Sequence, residues 1–166
     1  MKKELLIWLP AILIMITIFI YSSMPAEESS QKSMKIVDFV IRVYENISDD
    51  TFDNTRRLDH IENLELIIRK SAHVTEYALL AAAIALALWR KVDKGYALFF
   101  QAVFLTVVYA ATDEFHQRFV PGRSGELKDV LIDSTGAILG ALFFLGLSRA
   151  LKRRGMIKLG TTEPKA

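Results

Sequence analysis

The chain has 166 residues, a formal net charge of +2 and no cysteine. This excludes disulfide frameworks, thiolate metal sites and Cys nucleophiles, and it leaves no electrostatic footprint for a nucleic acid. Apolar residues make up 52% of the chain, yet its charges crowd into some stretches and are almost missing from others, a segregation that points to a lipid bilayer as solvent.

The first uncharged block runs from Leu5 to Tyr21; at 1.5 Å per residue it extends roughly 25 Å, just enough for the hydrocarbon core with one end in the interface. Met1-Lys2-Lys3 resembles the charged start of a signal peptide. The apolar run is long for one, however, and no A-x-A site follows, so an uncleaved anchor is expected. Pro10 is read in the first turns, where a helix tolerates it. Residues 22–70 are different in kind. Ser22, Ser23, Ser29, Ser30 and Ser33 make a polar exit, and then apolar residues recur at Met34, Val37, Ile41 and Tyr44. A second stripe follows at Leu58, Ile61, Leu64 and Ile68, beyond an acidic turn from Ser48 to Asn54. Each stripe predicts an amphipathic helix lying on the membrane or capping a bundle.

Three further spans are predicted at about 72–89, 95–112 and 130–147, separated by a short basic loop (Arg90 to Lys94) and a polar loop (Asp113 to Asp129). Phe99, Phe100, Phe104, Phe143 and Phe144 read as packing or lipid-facing groups. A basic tail, 148–166, carries Arg149, Lys152, Arg153, Arg154 and Lys158. The sum is an all-α, four-helix transmembrane bundle forming one domain over 1–166, with extracytoplasmic amphipathic helices between spans 1 and 2. With four spans, Lys2, Lys3, the 90–94 loop and the tail share one side, which the positive-inside rule places in the cytoplasm. Both termini are then cytoplasmic, and 22–70 and 113–129 face outward.

That topology gathers the unusual polar residues at the outer interface. His73, Glu76 and Tyr77 share a helix face, Asp113 shares one with His116 and Gln117 where the third helix continues, and Asp129 lies one turn before Asp133. The Asp129–Asp133 stripe runs on through Gly136 and Gly140, a spacing that allows close helix contact. A buried acid on that stripe needs a partner, for which Arg123, Lys70 and His73 are the candidates. Pro121-Gly122-Arg123 predicts a tight turn that returns the guanidinium over the helix ends. There it serves either as a clamp on Asp113 or Asp129 or as an anion site. His73, Asp113, Glu114, His116, Asp129 and Asp133 are of the type that hold a hard cation. No zinc-type H-E-x-x-H spacing occurs and Arg123 offsets the charge, so no metal is expected, and no cofactor is indicated.

The motifs in order are Arg69-Lys70-x-Ala72-His73-x-x-Glu76-Tyr77-x-x-Leu80, Tyr109-Ala110-x-x-Asp113-Glu114-x-x-Gln117, Pro121-Gly122-Arg123-x-Gly125, and Asp129-x-x-x-Asp133-x-x-Gly136-x-x-x-Gly140, with Ser22-Ser23-x-Pro25 ahead of them. Together they resemble the VanZ-like family of bacterial membrane proteins, although that family often has Asn where Asp133 stands. The resemblance implies an envelope role and a link to teicoplanin and related lipoglycopeptides, an antibiotic-resistance connection at the outer membrane face. Two function classes are open. In one, the protein binds or processes an envelope lipid or lipid-linked cell-wall precursor. His73, Glu76, Asp113, Glu114 and Asp129 would then be the catalytic candidates, and Lys70, Tyr77, Gln117, Arg123 and Asp133 the substrate-binding ones. In the other, the cluster is a helix-clamping network of a non-enzymatic accessory protein. Its Gly136/Gly140 face would meet other membrane proteins.

Overall fold

The computed structural model describes residues 2–47, 54–92 and 95–153, so most of the predicted 48–54 turn, Asp93, Lys94 and the tail beyond Arg153 lie outside the described residues. The regular elements among the described residues are all helices, in the order α1 (Lys2–Ser22), α2 (Ala26–Ile47), α3 (Asn54–Leu88), α4 (Gly95–Gln117) and α5 (Leu127–Arg153). Three of these, α3, α4 and α5, are each long and apolar enough to cross a membrane. The apolar stretch of α1 makes the fourth together with α2, which turns away from it by 106° at a short break. This is the predicted all-α transmembrane bundle.

Local chemistry explains the elements and two departures from expectation. The first departure is Pro10, which lies inside α1 and not in its first turns. There it leaves the Leu6 carbonyl without its helical donor, a defect that transmembrane helices tolerate. The second is the stripe at 58–68, which is not a separate surface helix. It is the first part of the 35-residue α3, roughly 52 Å long, because no Gly or Pro interrupts 54–88. Hydropathy reports depth in the bilayer, while breakers report where a helix stops, and the two differ here.

The amphipathic α2 does form as a separate helix, beginning earlier than predicted, with Glu27 and Glu28 favouring its positive N-terminal end. Its buried face is Ser33, Val37 and Ile41, one turn apart. It lies against α3, where Ser30 Oγ donates to Glu65 Oε1 at 2.6 Å.

Helices α3 and α5 form the main interface of the bundle. A Cβ on Gly136 would collide with the Val74 carbonyl, and one on Gly140 with the Ala78 carbonyl, so the two backbones meet directly. The glycine stripe is therefore covered by α3 of the same chain. The close helix contact that the spacing allows, expected as a face for other membrane proteins, is made here within the chain. On α4 the buried stripe is Leu98, Ala102, Thr106, Ala110 and Asp113, each one turn from the last. Phe100, Phe104 and Phe143 point outward, as lipid-facing groups do, while Phe99 and Phe144 pack on the core.

Candidate functional site

The exit of α1, the middle of α3, the last turn of α4, the 118–126 loop and the start of α5 meet at one end of the bundle. Helix α4 continues through Asp113 to Gln117, so the polar stretch expected as a loop from 113 is helical until 117. This continuation turns Asp113, Glu114 and Gln117 inward, where all three are buried.

Asp113 is the hub of an inner layer. Its Oδ2 accepts from Ser22 Oγ at 2.7 Å, Tyr77 OH at 3.0 Å and Gln117 Nε2 at 3.2 Å. Gln117 Nε2 also donates to Ser22 Oγ at 2.7 Å and Glu114 Oε1 at 3.2 Å. The other Asp113 oxygen is buried without a partner among the described residues. These contacts join α1, α3 and α4 through a carboxylate, the kind of interaction that substitutes for the hydrophobic effect between helices in lipid.

The loop supplies a second tie. Val120-Pro121-Gly122-Arg123 is a turn with Arg123 N donating to Val120 O at 3.1 Å. Pro at its second position and Gly122 at φ 74° at its third match type II. The Pro121 carbonyl accepts from Ala26 N at 3.1 Å, which seats the start of α2 on the turn. Arg123 then reaches α1: Nε donates to Met24 O at 2.9 Å and Nη2 to Tyr21 O at 3.1 Å, while Nη1 lies 3.5 Å from Gln117 Oε1. Burial, followed by the nearby charge of Arg69, lowers the Arg123 pKa from its ordinary value. The expected clamp is present, but on backbone carbonyls at the C-terminal end of α1, where a cation is favoured, and not on Asp113 or Asp129.

The acids of α5 find the other two predicted partners. Lys70 Nζ bonds Asp129 Oδ1 at 2.7 Å. His73 Nδ1 lies 3.7 Å from Oδ1 of Asp133, which is 1% exposed and whose Oδ2 has no partner among the described residues. Beside these pairs is a cavity of about 120 Å³, walled by Arg69, Lys70, His73, Glu114, Gln117, Arg123, Asp129 and Asp133 with Ala26, Gly122, Ser124 and Ile132. A second cavity, about 190 Å³, lies among α1, α2 and α3 and also reaches Glu76.

The ten site residues read from the sequence thus sort by position. Lys70, His73, Glu114, Gln117, Arg123, Asp129 and Asp133 wall the first cavity, and Glu76 the second. Asp113 and Tyr77 line neither, being buried in the hydrogen-bond hub. His116 turns toward α1, stacking on Phe19 at 4.8 Å with Nε2 3.1 Å from Ser23 Oγ. No group of three or more His, Asp or Glu among the described residues is arranged to hold a metal ion. Two residues escaped sequence reasoning. Ser22 was read only as a polar exit, since nothing in sequence placed the end of α1 beside Asp113. Arg69 was legible: it precedes His73 by four residues and Glu76 by seven, on the same helical face.

Fold and site together define a multi-pass α-helical membrane protein with a layered polar cluster at one end of its bundle. A sequence model of the VanZ/LLP1 family matches residues 7–149, which contain every element of that cluster. The chain belongs to the VanZ/LLP1 family. Membership associates it with membrane proteins linked to glycopeptide resistance. No curated protein and no solved structure matches the chain.

Proposed function

We propose that the first cavity binds the anionic head of an envelope lipid or lipid-linked cell-wall precursor at the outer face of the bacterial cytoplasmic membrane. The carrying observation is that Arg69, Lys70, His73 and Arg123 converge on one cavity at the end of membrane-spanning helices. Cationic side chains are costly on membrane-spanning helices, so their convergence marks a ligand pathway more than chance placement. The orientation rests on the distribution of basic residues, with both termini cytoplasmic. His73, set against Asp133, supplies the proton-handling pair for any turnover of the ligand.

The test is drug susceptibility in a strain where deletion of the gene has a clear effect. His73→Gln and Lys70→Gln, both on the wall of the first cavity and at normal membrane levels, are expected to behave as the deletion does. Wild-type susceptibility in both would contradict the proposal.

A second reading, a non-enzymatic accessory role, draws on the Ser22–Tyr77–Asp113–Gln117 hub and the Arg123 clamp, whose bonds all lie within the chain. It predicts that Asp113→Asn and Arg123→Lys lower abundance, while His73→Gln at normal abundance keeps wild-type susceptibility.

A further inference from the structure

Three cations stand at the first cavity on long side chains, and they differ in what they already hold. Lys70 is paired with Asp129 at 2.7 Å. Arg123 directs Nε, Nη1 and Nη2 at Met24 O, Gln117 Oε1 and Tyr21 O. Arg69 has no hydrogen-bond or ion-pair partner among the described residues, though it walls both cavities. A guanidinium offers five donors in a fixed fork. Here that fork lies beside a second guanidinium with nothing among the described residues to satisfy it.

The two cavities are neighbours, sharing Arg69, His73 and Arg123 as a common wall. They differ in character. The first is lined mainly by charged and amide side chains. The second adds Ile18, Ile36, Ile68, Ala72 and Met24 to its own side of that wall. An apolar groove next to unsatisfied positive charge fits a molecule with the complementary pair of ends.

Resting on the function proposed above, we infer that Arg69 is the anion-gripping residue and that the ligand is a phosphate-headed lipid. Its head sits at the Arg69–His73–Arg123 wall and its hydrocarbon chain lies in the α1–α2–α3 groove. Phosphate is favoured over carboxylate because three cationic or donor groups converge there, matching an anion with several acceptor oxygens. Phosphate-headed lipids are also the anions concentrated at interfacial depth.

The experiment is native mass spectrometry of the full chain in detergent, with dioleoyl phosphatidic acid, dioleoyl phosphatidylcholine and glycerol 3-phosphate as probes. Wild type is expected to retain phosphatidic acid about tenfold better than phosphatidylcholine, the scale of one charge-assisted contact. Arg69→Gln is expected to abolish that preference. Ala72→Trp, which fills the groove, is expected to weaken retention of phosphatidic acid, and Ile36→Trp serves the same purpose if Ala72→Trp lowers folding yield. A preference that survives in Arg69→Gln overturns the role of Arg69. Unchanged retention in the groove-filling variant, or glycerol 3-phosphate competing as well as phosphatidic acid, overturns the lipid chain. Each of those results leaves the anion site standing. No preference for phosphatidic acid in wild type overturns that site and this inference with it.

Discussion

The Arg123 side chain holds Met24 across 99 residues of sequence, with Nε donating to its carbonyl at 2.9 Å. The same guanidinium takes Tyr21 O, so one side chain closes the C-terminal end of α1 against the loop between α4 and α5. The Pro121-Gly122 turn aims it there, and Ala26 N on the Pro121 carbonyl locks the start of α2 to the same turn.

Arg123→Lys keeps the charge but loses the planar fork that serves two carbonyls at once. The expected cost is about 1 kcal/mol of stability, mainly from the part-buried Met24 carbonyl left without its donor. Thermal unfolding in detergent measures it; a wild-type midpoint would mean the clamp contributes nothing.

Tyr77→Phe removes one of three donors to Asp113 Oδ2, on a carboxylate whose other oxygen already lacks a partner among the described residues. The expected loss is about 1–3 kcal/mol. Tyr109→Phe is the control: its hydroxyl donates to Met15 O from a part-buried position, and its loss should cost less. Equal midpoints for the two variants would contradict the hub role of Asp113.

The glycines of α5 should separate cleanly. Gly140→Ala drives a methyl into the Ala78 carbonyl and forces α5 off α3, at about 1–3 kcal/mol. Gly146 has nothing within 4 Å of a built Cβ. Gly146→Ala should therefore be neutral or stabilising by up to about 1 kcal/mol, through helix propensity. Unfolding midpoints of the two proteins, compared side by side, check the contrast.

Much of this arrangement is legible in sequence because the bilayer imposes a simple code. Uncharged runs mark the spans, and the spacing of His73, Glu76 and Tyr77, or of Asp133, Gly136 and Gly140, marks faces. What sequence hides is continuity and pairing. The charges between residues 54 and 70 masked a helix that nothing interrupts before Leu88. The choice of partner for each charge was hidden too, because it depends on where helix ends meet. Lys70 and His73 serve Asp129 and Asp133, while Arg123, the residue most suggestive of an anion site, is engaged by backbone. Arg69 carried the periodic signal but belonged to no expected pair.

An envelope site requires the polar end of the bundle to face outward. The chain has no cysteine, so single cysteines at Ser30, Asp93, Ser124 and Thr161 can be probed in intact cells with an impermeant thiol reagent. Labelling at 30 and 124, with protection at 93 and 161, is the predicted result. Labelling at 93 and 161 from outside, with 30 and 124 protected, would put the cavity in the cytoplasm and contradict an outward-facing envelope site.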